Sequence, residues 1–208
     1  MPRRVRTQVI EADDPSALVA ALEVLRAGGL VAFPTDTVYG LGALAFEGQA
    51  VARLYLAKER GIEKAIPVLL GEASALETVG SASAMARRLA EAFWPGPLTL
   101  VVLKRPEVPD AVGLAGTVGV RVPNHPVALR LLEAAGPLAT SSANRSGSSS
   151  PCTADEVRAE LDDRIDLVLD GGECPGGRPS TVVDCTGSEP VVLREGPVSM
   201  GQIQAALG

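Results

Sequence analysis

Short aliphatic runs alternate along this chain with stretches of helical period, and this interleaving restricts the fold more than any other property of the sequence. Residues 30–33, 66–70, 98–103, 118–122, 138–141, 167–169, 181–183 and 191–193 have the length and residue types of strands. Between them, helical spacing links Leu18, Leu22 and Leu25, then Val51, Leu54 and Tyr55, then Met85, Leu89 and Phe93, then Val127, Leu131 and Leu132. The punctuation agrees. Asp14-Pro15 opens the first helix and Gly28-Gly29 stops it, while Pro95-Gly96-Pro97 ends the third because proline removes a backbone donor. Gly136 closes the fourth, and Thr153-Ala154-Asp155-Glu156 is a capping box that starts a fifth, running to about Leu161. The last three strands follow one another without helices, separated first by the glycine-rich 171–177 loop. An α/β chain with helices packed on a mixed sheet satisfies this order better than a strictly parallel one.

A chain of 208 residues buries enough surface for one core, so residues 1–208 are expected to form a single domain with its core at about 14–196. Aromatic residues are only 3%, which leaves Val, Leu, Ala and Ile to build the interior. The formal charge of -6 argues against an extended nucleic-acid surface, which needs clustered Lys and Arg. Cys152, Cys174 and Cys185 show no paired spacing, and His125 is the only histidine, so a metal site held by protein side chains is not expected. Arg3, Arg4 and Arg6 lead into acidic residues rather than an apolar stretch, and no apolar run approaches the ~20 residues of a membrane span. A cytoplasmic protein is expected.

The chain has no G-x-S-x-G, no P-loop and no G-x-G-x-x-G opening a helix. Hydroxyls, glycines and a few cations gather instead at predicted strand ends. These are Thr35 and Thr37, Lys58, Arg60 and Lys64, Thr117 and Arg121, Ser142, Asn144 and Ser146, Ser180 and Thr181, and Arg194. Hydroxyls and loop amides donate to phosphate oxygens, and arginine offers a planar fork to phosphate or carboxylate. The same residues also make ordinary turns, so the pattern alone leaves both readings open. In 118–122 the valines alternate with Gly119 and Arg121, which points Arg121 away from the buried face.

Pro34-Thr35-Asp36-Thr37-Val38-Tyr39-Gly40-Leu41-Gly42 resembles the signature of the YrdC-like domain family. Lys58-Glu59-Arg60, Trp94-Pro95-Gly96-Pro97-Leu98-Thr99, Thr117-Val118-Gly119-Val120-Arg121-Val122-Pro123, Ser142-Ala143-Asn144 with Ser146-Gly147, Ser180-Thr181-Val182-Val183-Asp184 and Leu193-Arg194-Glu195-Gly196 resemble further family elements in the same order. The resemblance implies a twisted, mostly open α/β sheet with a concave basic cavity, and the compact bacterial form that makes L-threonylcarbamoyladenylate. Its substrates would be L-threonine, bicarbonate and ATP with Mg²⁺, its products the adenylate and pyrophosphate. A separate transferase complex would pass the group to tRNA beside the anticodon, with little or no direct tRNA binding by this chain.

By the same resemblance Arg60, Lys64, Thr117, Ser142, Ser150 and Arg194 face ATP, while Thr37, Arg121, Thr140 and Ser180 face threonine. Lys58 and Arg60 are the expected catalytic pair, with Lys58 bordering the phosphates. Two departures stand out: Gly61 follows Arg60 where many family members have proline, and Leu69 stands where longer members place a histidine near threonine. Asn144, Trp94 and His125 are read as structural, and Tyr39 as either a packed ring or a contact. The 148–151 segment is a candidate mobile loop that limits water entry. The rival readings are a non-catalytic RNA-binding protein and an enzyme that handles a different carbamoyl adenylate.

Overall fold

A computed structural model describes residues 6–208, so Arg3 and Arg4 of the basic N-terminal run lie outside the described residues, while Arg6 is exposed. The elements in chain order are β1 (Gln8–Glu11), α1 (Ala17–Arg26), β2 (Val31–Phe33), β3 (Gly40–Leu44), α2 (Gly48–Ala57), β4 (Val68–Leu69), a 3₁₀ turn (Ala73–Ala75), α3 (Leu76–Val79), β5 (Gly80–Ser81), α4 (Ala84–Phe93), β6 (Leu98–Lys104), β7 (Thr117–Arg121), α5 (Pro126–Ala135), β8 (Leu138–Ser142), α6 (Ala154–Leu161), β9 (Leu167–Asp170), β10 (Thr181–Asp184), β11 (Val191–Arg194) and α7 (Met200–Leu207). Among the described residues the strands form one sheet in the order β1-β9-β2-β3-β8-β4-β7-β6-β10-β11, with β5 pairing on β6. Pairs β1/β9, β2/β9, β4/β7 and β6/β10 are parallel and the others antiparallel, so the expected mixed, open sheet is what forms.

Strand alternation sorts the side chains onto two unequal faces. On one face Leu41, Val68, Leu98, Leu100, Val102, Val118, Val120, Ala139, Val168 and Val183 pack with residues of α2, α4, α6 and α7 into one continuous core. On the other, Val31, Phe33, Leu69, Leu138, Leu167 and Leu169 pack under α1 and α5 through Ala17, Ala21, Leu25, Ala128, Leu131 and Leu132. These two helices cover only the β1-β9-β2-β3-β8 end of their face. The remainder, from β4, whose Leu69 marks the edge of the covered part, across β7, β6 and β10 to β11, mixes small, polar and aliphatic residues, and the cavity described below lies there.

Several expectations shift. Asp14 does not cap α1 but accepts from both the amide and the hydroxyl of Ser16, each at 2.7 Å, in a turn that precedes the helix. The buried stripe of α1 is Ala17, Ala21 and Leu25, whereas Leu18 is exposed, because only the i, i+4, i+8 row starting at Ala17 faces the sheet. Of the 34–42 motif only the stretch before Gly40 is a turn, since Gly40–Leu44 pairs antiparallel with β2. Glycine is required there: a Cβ at Gly40 would stand 2.8 Å from the Thr140 methyl, and one at Gly42 2.9 Å from the Phe33 ring. The expected core limits of 14 and 196 are also too narrow. β1 completes one sheet edge beside β9, and α7 buries Ile203 against the core behind a capping box formed by Ser199 and Gln202. The capping box at Thr153 and Glu156 forms as expected. Trp94 ends α4 through Nε1 donating to the Leu98 carbonyl at 2.7 Å, ahead of a cis Trp94-Pro95 bond.

Candidate functional site

The uncovered part of the α1/α5 face holds a cavity of about 340 Å³. Its floor consists of outward positions of successive strands: Gly40 of β3, Leu69 of β4, Thr99 and Val101 of β6, Gly119 and Arg121 of β7, Thr140 and Ser142 of β8, Val182 of β10, and Leu193 and Arg194 of β11. The walls are the 35–39 turn, Arg60, Ala65 and Pro67 after α2, Ser150, and Pro179 with Ser180. Three arginines and no carboxylate line it. Gly119 keeps the floor low, since a Cβ there would meet the Thr99 methyl at 3.1 Å and the Pro67 ring at 3.2 Å.

At one end Arg121 is buried, with three of its five N–H groups engaged within the protein. Nε donates to the Gly96 carbonyl at 2.9 Å, Nη1 to the Thr37 hydroxyl at 3.0 Å and Nη2 to Asp36 Oδ1 at 2.5 Å. One N–H remains on each terminal nitrogen, the number a bidentate contact with one carboxylate needs. Burial pulls the guanidinium's pKa down and the Asp36 carboxylate opposes that pull. The hydroxyls near it are organised. Thr35 Oγ1 donates to the Val38 carbonyl and lies 2.9 Å from Thr37 Oγ1, and Thr140 Oγ1 donates to the Leu138 carbonyl. Ser180 Oγ and Thr99 Oγ1 are 2.8 Å apart.

The cavity's two other cations are Arg60 and Arg194. Arg60 donates to the Lys64 and Ala65 carbonyls at 3.1 and 2.9 Å, which folds the 61–65 segment back on itself. Arg194 donates to the Ser180 carbonyl at 3.0 and 2.9 Å and to its hydroxyl at 3.1 Å. Neither joins a salt bridge among the described residues. Burial lowers the pKa of both, and the charge of Arg60 lowers that of Arg194 further. The Glu63 carboxylate near Arg60 opposes part of that lowering, and two like charges held near each other are stabilised by an anion.

Eight of the eleven residues expected to form the site line the cavity: Thr37, Arg60, Arg121, Thr140, Ser142, Ser150, Ser180 and Arg194. Lys58, Lys64 and Thr117 do not. Lys58 is fully buried at the C-terminal end of α2, and its Nζ donates to the carbonyls of Ser142 and Asn144, with the second contact at 2.5 Å. Burial and the Arg60 charge lower its pKa to about 8. Its position braces the turn that follows β8 from below, where the expectation had it bordering phosphates. Lys64 is exposed on the outside of its loop, and its carbonyl accepts from Tyr55 and Arg60. Thr117 shares the cavity face of β7 but sits at the far end of the strand, donating to the Leu114 carbonyl at 2.8 Å.

Asn144 holds its turn, as expected, through Nδ2 donating to the Arg145 and Ser148 carbonyls. Tyr39 lines the cavity, and its hydroxyl donates to the Gly172 carbonyl at 2.8 Å while accepting from the Gly171 amide. Burial raises its pKa. The sequence reading assigned no role to Thr99 or Asp36. Thr99 was visible as the one hydroxyl inside an aliphatic strand, and Asp36 as the acid between two site threonines.

The fold and the site thus define a mixed α/β protein whose uncovered sheet face holds a cavity lined by three arginines and no carboxylate. Residues 23–196 match the Sua5/YciO/YrdC family model, which bears the description "Telomere recombination", and the chain belongs to that family. A Mycobacterium tuberculosis protein (strain ATCC 25618 / H37Rv) is 45% identical over 208 residues, covering 97% of this chain and 96% of its own. The threonylcarbamoyl-AMP synthase of Bacillus subtilis (strain 168) is 42% identical over 206 residues, and the match covers 97% of this chain but 59% of that protein. The crystal structure of P. abyssi Sua5 complexed with L-threonine superposes with a TM-score of 0.90 at 39% identity, covering 98% of this chain and 61% of that one. Among the described residues, no helix is long and apolar enough to cross a membrane.

Proposed function

We propose that this chain is an L-threonylcarbamoyladenylate synthase, which converts L-threonine, bicarbonate and ATP into threonylcarbamoyl-AMP, pyrophosphate and water. The observation that carries the reading is one cavity lined by three arginines and no carboxylate, in which Arg121 keeps a fork of two N–H groups and Arg60 and Arg194 form a couple that joins no salt bridge among the described residues. A carboxylate suits the first and a polyphosphate the second. The names of the Bacillus subtilis relative and of the threonine complex support the same assignment.

In this reading Arg121 holds the threonine carboxylate with its two remaining N–H groups, and Thr37, Thr140 and Ser180 surround the amino acid. Arg60 and Arg194 hold the triphosphate beside Ser142 and Ser150. The threonine amine captures bicarbonate or CO2, and the resulting N-carboxylate oxygen attacks the α-phosphorus in line as the bond to pyrophosphate breaks. No protein nucleophile is needed, so the enzyme acts by positioning and by neutralising charge. Lys58 contributes by bracing the Ser142 turn rather than by touching phosphate. Among the described residues no group of three or more His, Cys, Asp or Glu side chains gathers around a point that could hold a metal. Mg²⁺ would enter with ATP as part of the substrate, where it would neutralise phosphate charge. The adenylate then passes to a separate transferase acting on tRNA in the cytoplasm.

The test is turnover. Purified protein with ATP, Mg²⁺, bicarbonate and threonine should release pyrophosphate and yield the adenylate by mass spectrometry, with less or no product from serine and none without an amino acid. Nucleotide binding without threonine-dependent pyrophosphate would overturn the proposal in favour of a different carbamoyl adenylate. Salt-dependent RNA binding without turnover would favour the non-catalytic reading.

A further inference from the structure

Asp36 is an acid set immediately behind a cavity that no acid lines. Its side chain is only 12% exposed and that of Arg121 6%. A single oxygen, Oδ1, accepts both from Arg121 Nη2 at 2.5 Å and from the Asn124 amide at 3.1 Å, so it ties the 34–39 turn to the chain just beyond β7. The same turn presents the Thr37 hydroxyl to Arg121 Nη1. The turn has no room to retreat: Gly176 lies against it so closely that a Cβ there would stand 2.5 Å from the Asp36 carbonyl and 2.9 Å from Thr37 Cα. Three fixed acceptors from two separate segments, Gly96 on one and Asp36 with Thr37 on the other, therefore hold the guanidinium plane, and Asp36 is the only charged one.

We propose that Asp36 is a positioning residue for the amino-acid substrate, one that fixes the plane of Arg121 and neutralises it before substrate arrives, so that one N–H on each terminal nitrogen faces the incoming carboxylate. This rests on the assignment of Arg121 to the amino-acid end of the cavity. Asp36 does not line the cavity and acts only through Arg121. Without it a buried cation would keep two neutral acceptors on one side and the charge of Arg194 nearby, and the plane would be free to turn. Because Asp36 stands behind the guanidinium, its repulsion of a ligand carboxylate is opposed by the intervening cation, and loss of orientation dominates when it is removed.

The test uses Asp36→Asn, which keeps an acceptor and removes the charge, together with the unaltered enzyme. The unaltered enzyme must first show threonine-dependent turnover; failure there would count against the assigned activity, not against Asp36 separately. Given turnover, the KM for threonine in Asp36→Asn should rise about tenfold or more, tenfold being 1.4 kcal/mol, while the KM for ATP stays within about twofold. Asp36→Glu, which restores the charge, should recover part of the loss. Equal changes in both KM values, or none, overturn the inference by reducing Asp36 to a stabilising ion pair. Should Asp36→Asn fail to fold, nitrogen NMR of the ligand-free unaltered enzyme decides: separate, slowly exchanging Nη signals for Arg121 support the inference, and a single averaged signal overturns it.

Discussion

Lys58 separates two accounts of the site, and pH separates them without reference to activity. The residue is 1% exposed, and burial together with the Arg60 charge lowers its pKa from 10.5 to about 8. Below pH 8 the amine is charged in both the folded and the unfolded chain, so the penalty on the buried charge is fully present. Between about 8 and 10.5 the unfolded chain binds more protons than the folded one, and stability rises with pH as that penalty is relieved. One pKa unit corresponds to 1.36 kcal/mol, so relative to pH 7 the gain is about 1.4 kcal/mol at pH 9 and about 2.5 kcal/mol at pH 10. Other groups also titrate there, so the measurement is a difference. Urea unfolding of the unaltered protein and of Lys58→Met at pH 7, 9 and 10 should show the unaltered protein gaining those amounts over the variant. A difference that stays flat from pH 7 to 10 would refute the buried brace and return Lys58 to a solvated place beside the phosphates.

On the proposed assignment, Arg121→Met would remove two charge-assisted hydrogen bonds to the threonine carboxylate, each worth about 1.5–3 kcal/mol. Its threonine KM should rise about 10²- to 10⁴-fold with little change for ATP, and an equal rise for both substrates would place Arg121 elsewhere. Cys174, whose thiol burial pushes up to about 11, stays neutral in the folded chain where the unfolded thiol ionises. That contribution is present below about pH 9 and fades by about 1.4 kcal/mol per pH unit up to 11, a slope that denaturant titrations of Cys174→Ala should lack. A Cβ at Gly196 would stand 2.2 Å from the Thr181 nitrogen and 2.5 Å from the Ser180 carbonyl carbon, both backbone. Gly196→Ala should therefore cost about 1–3 kcal/mol and shift Ser180 away from Arg194, read as a lower Tm with a raised KM for both substrates; an unchanged Tm would contradict the clash.

The parts of the fold legible in the sequence are those written in local periodicity. The strand at 98–103, the alternation in β7, the helix stops at Gly136 and Pro95, and the Thr153 capping box all appear where expected. β4 and β5 are two residues each and exist only through pairing with distant strands, so nothing local marks their limits. β1 presents mostly exposed residues at a sheet edge and carries almost no hydrophobic pattern. α7 was open to inference, because Ser199 and Gln202 have capping-box spacing followed by Ile203. Among the site residues, Lys58 lies off the cavity lining, which the sequence does not reveal because position at a helix end does not say which way a long side chain runs. Its amine turns inward to carbonyls that lie 84 and 86 residues away in sequence.

The sequence by itself determined that Arg121 leaves the sheet on the face opposite Val118 and Val120, since a period of two follows from strand geometry alone. It also placed hydroxyls at the strand ends that now ring the cavity. Tertiary structure decided the rest: that α1 and α5 cover one half of their sheet face and leave the other bare, and that Arg121 meets Asp36 from 85 residues away. Coverage of a sheet depends on where helices pack after the chain has crossed over, and ion pairing on which turns that packing brings together. Neither is encoded in any local window of residues, because both are set by contacts between segments far apart in the chain.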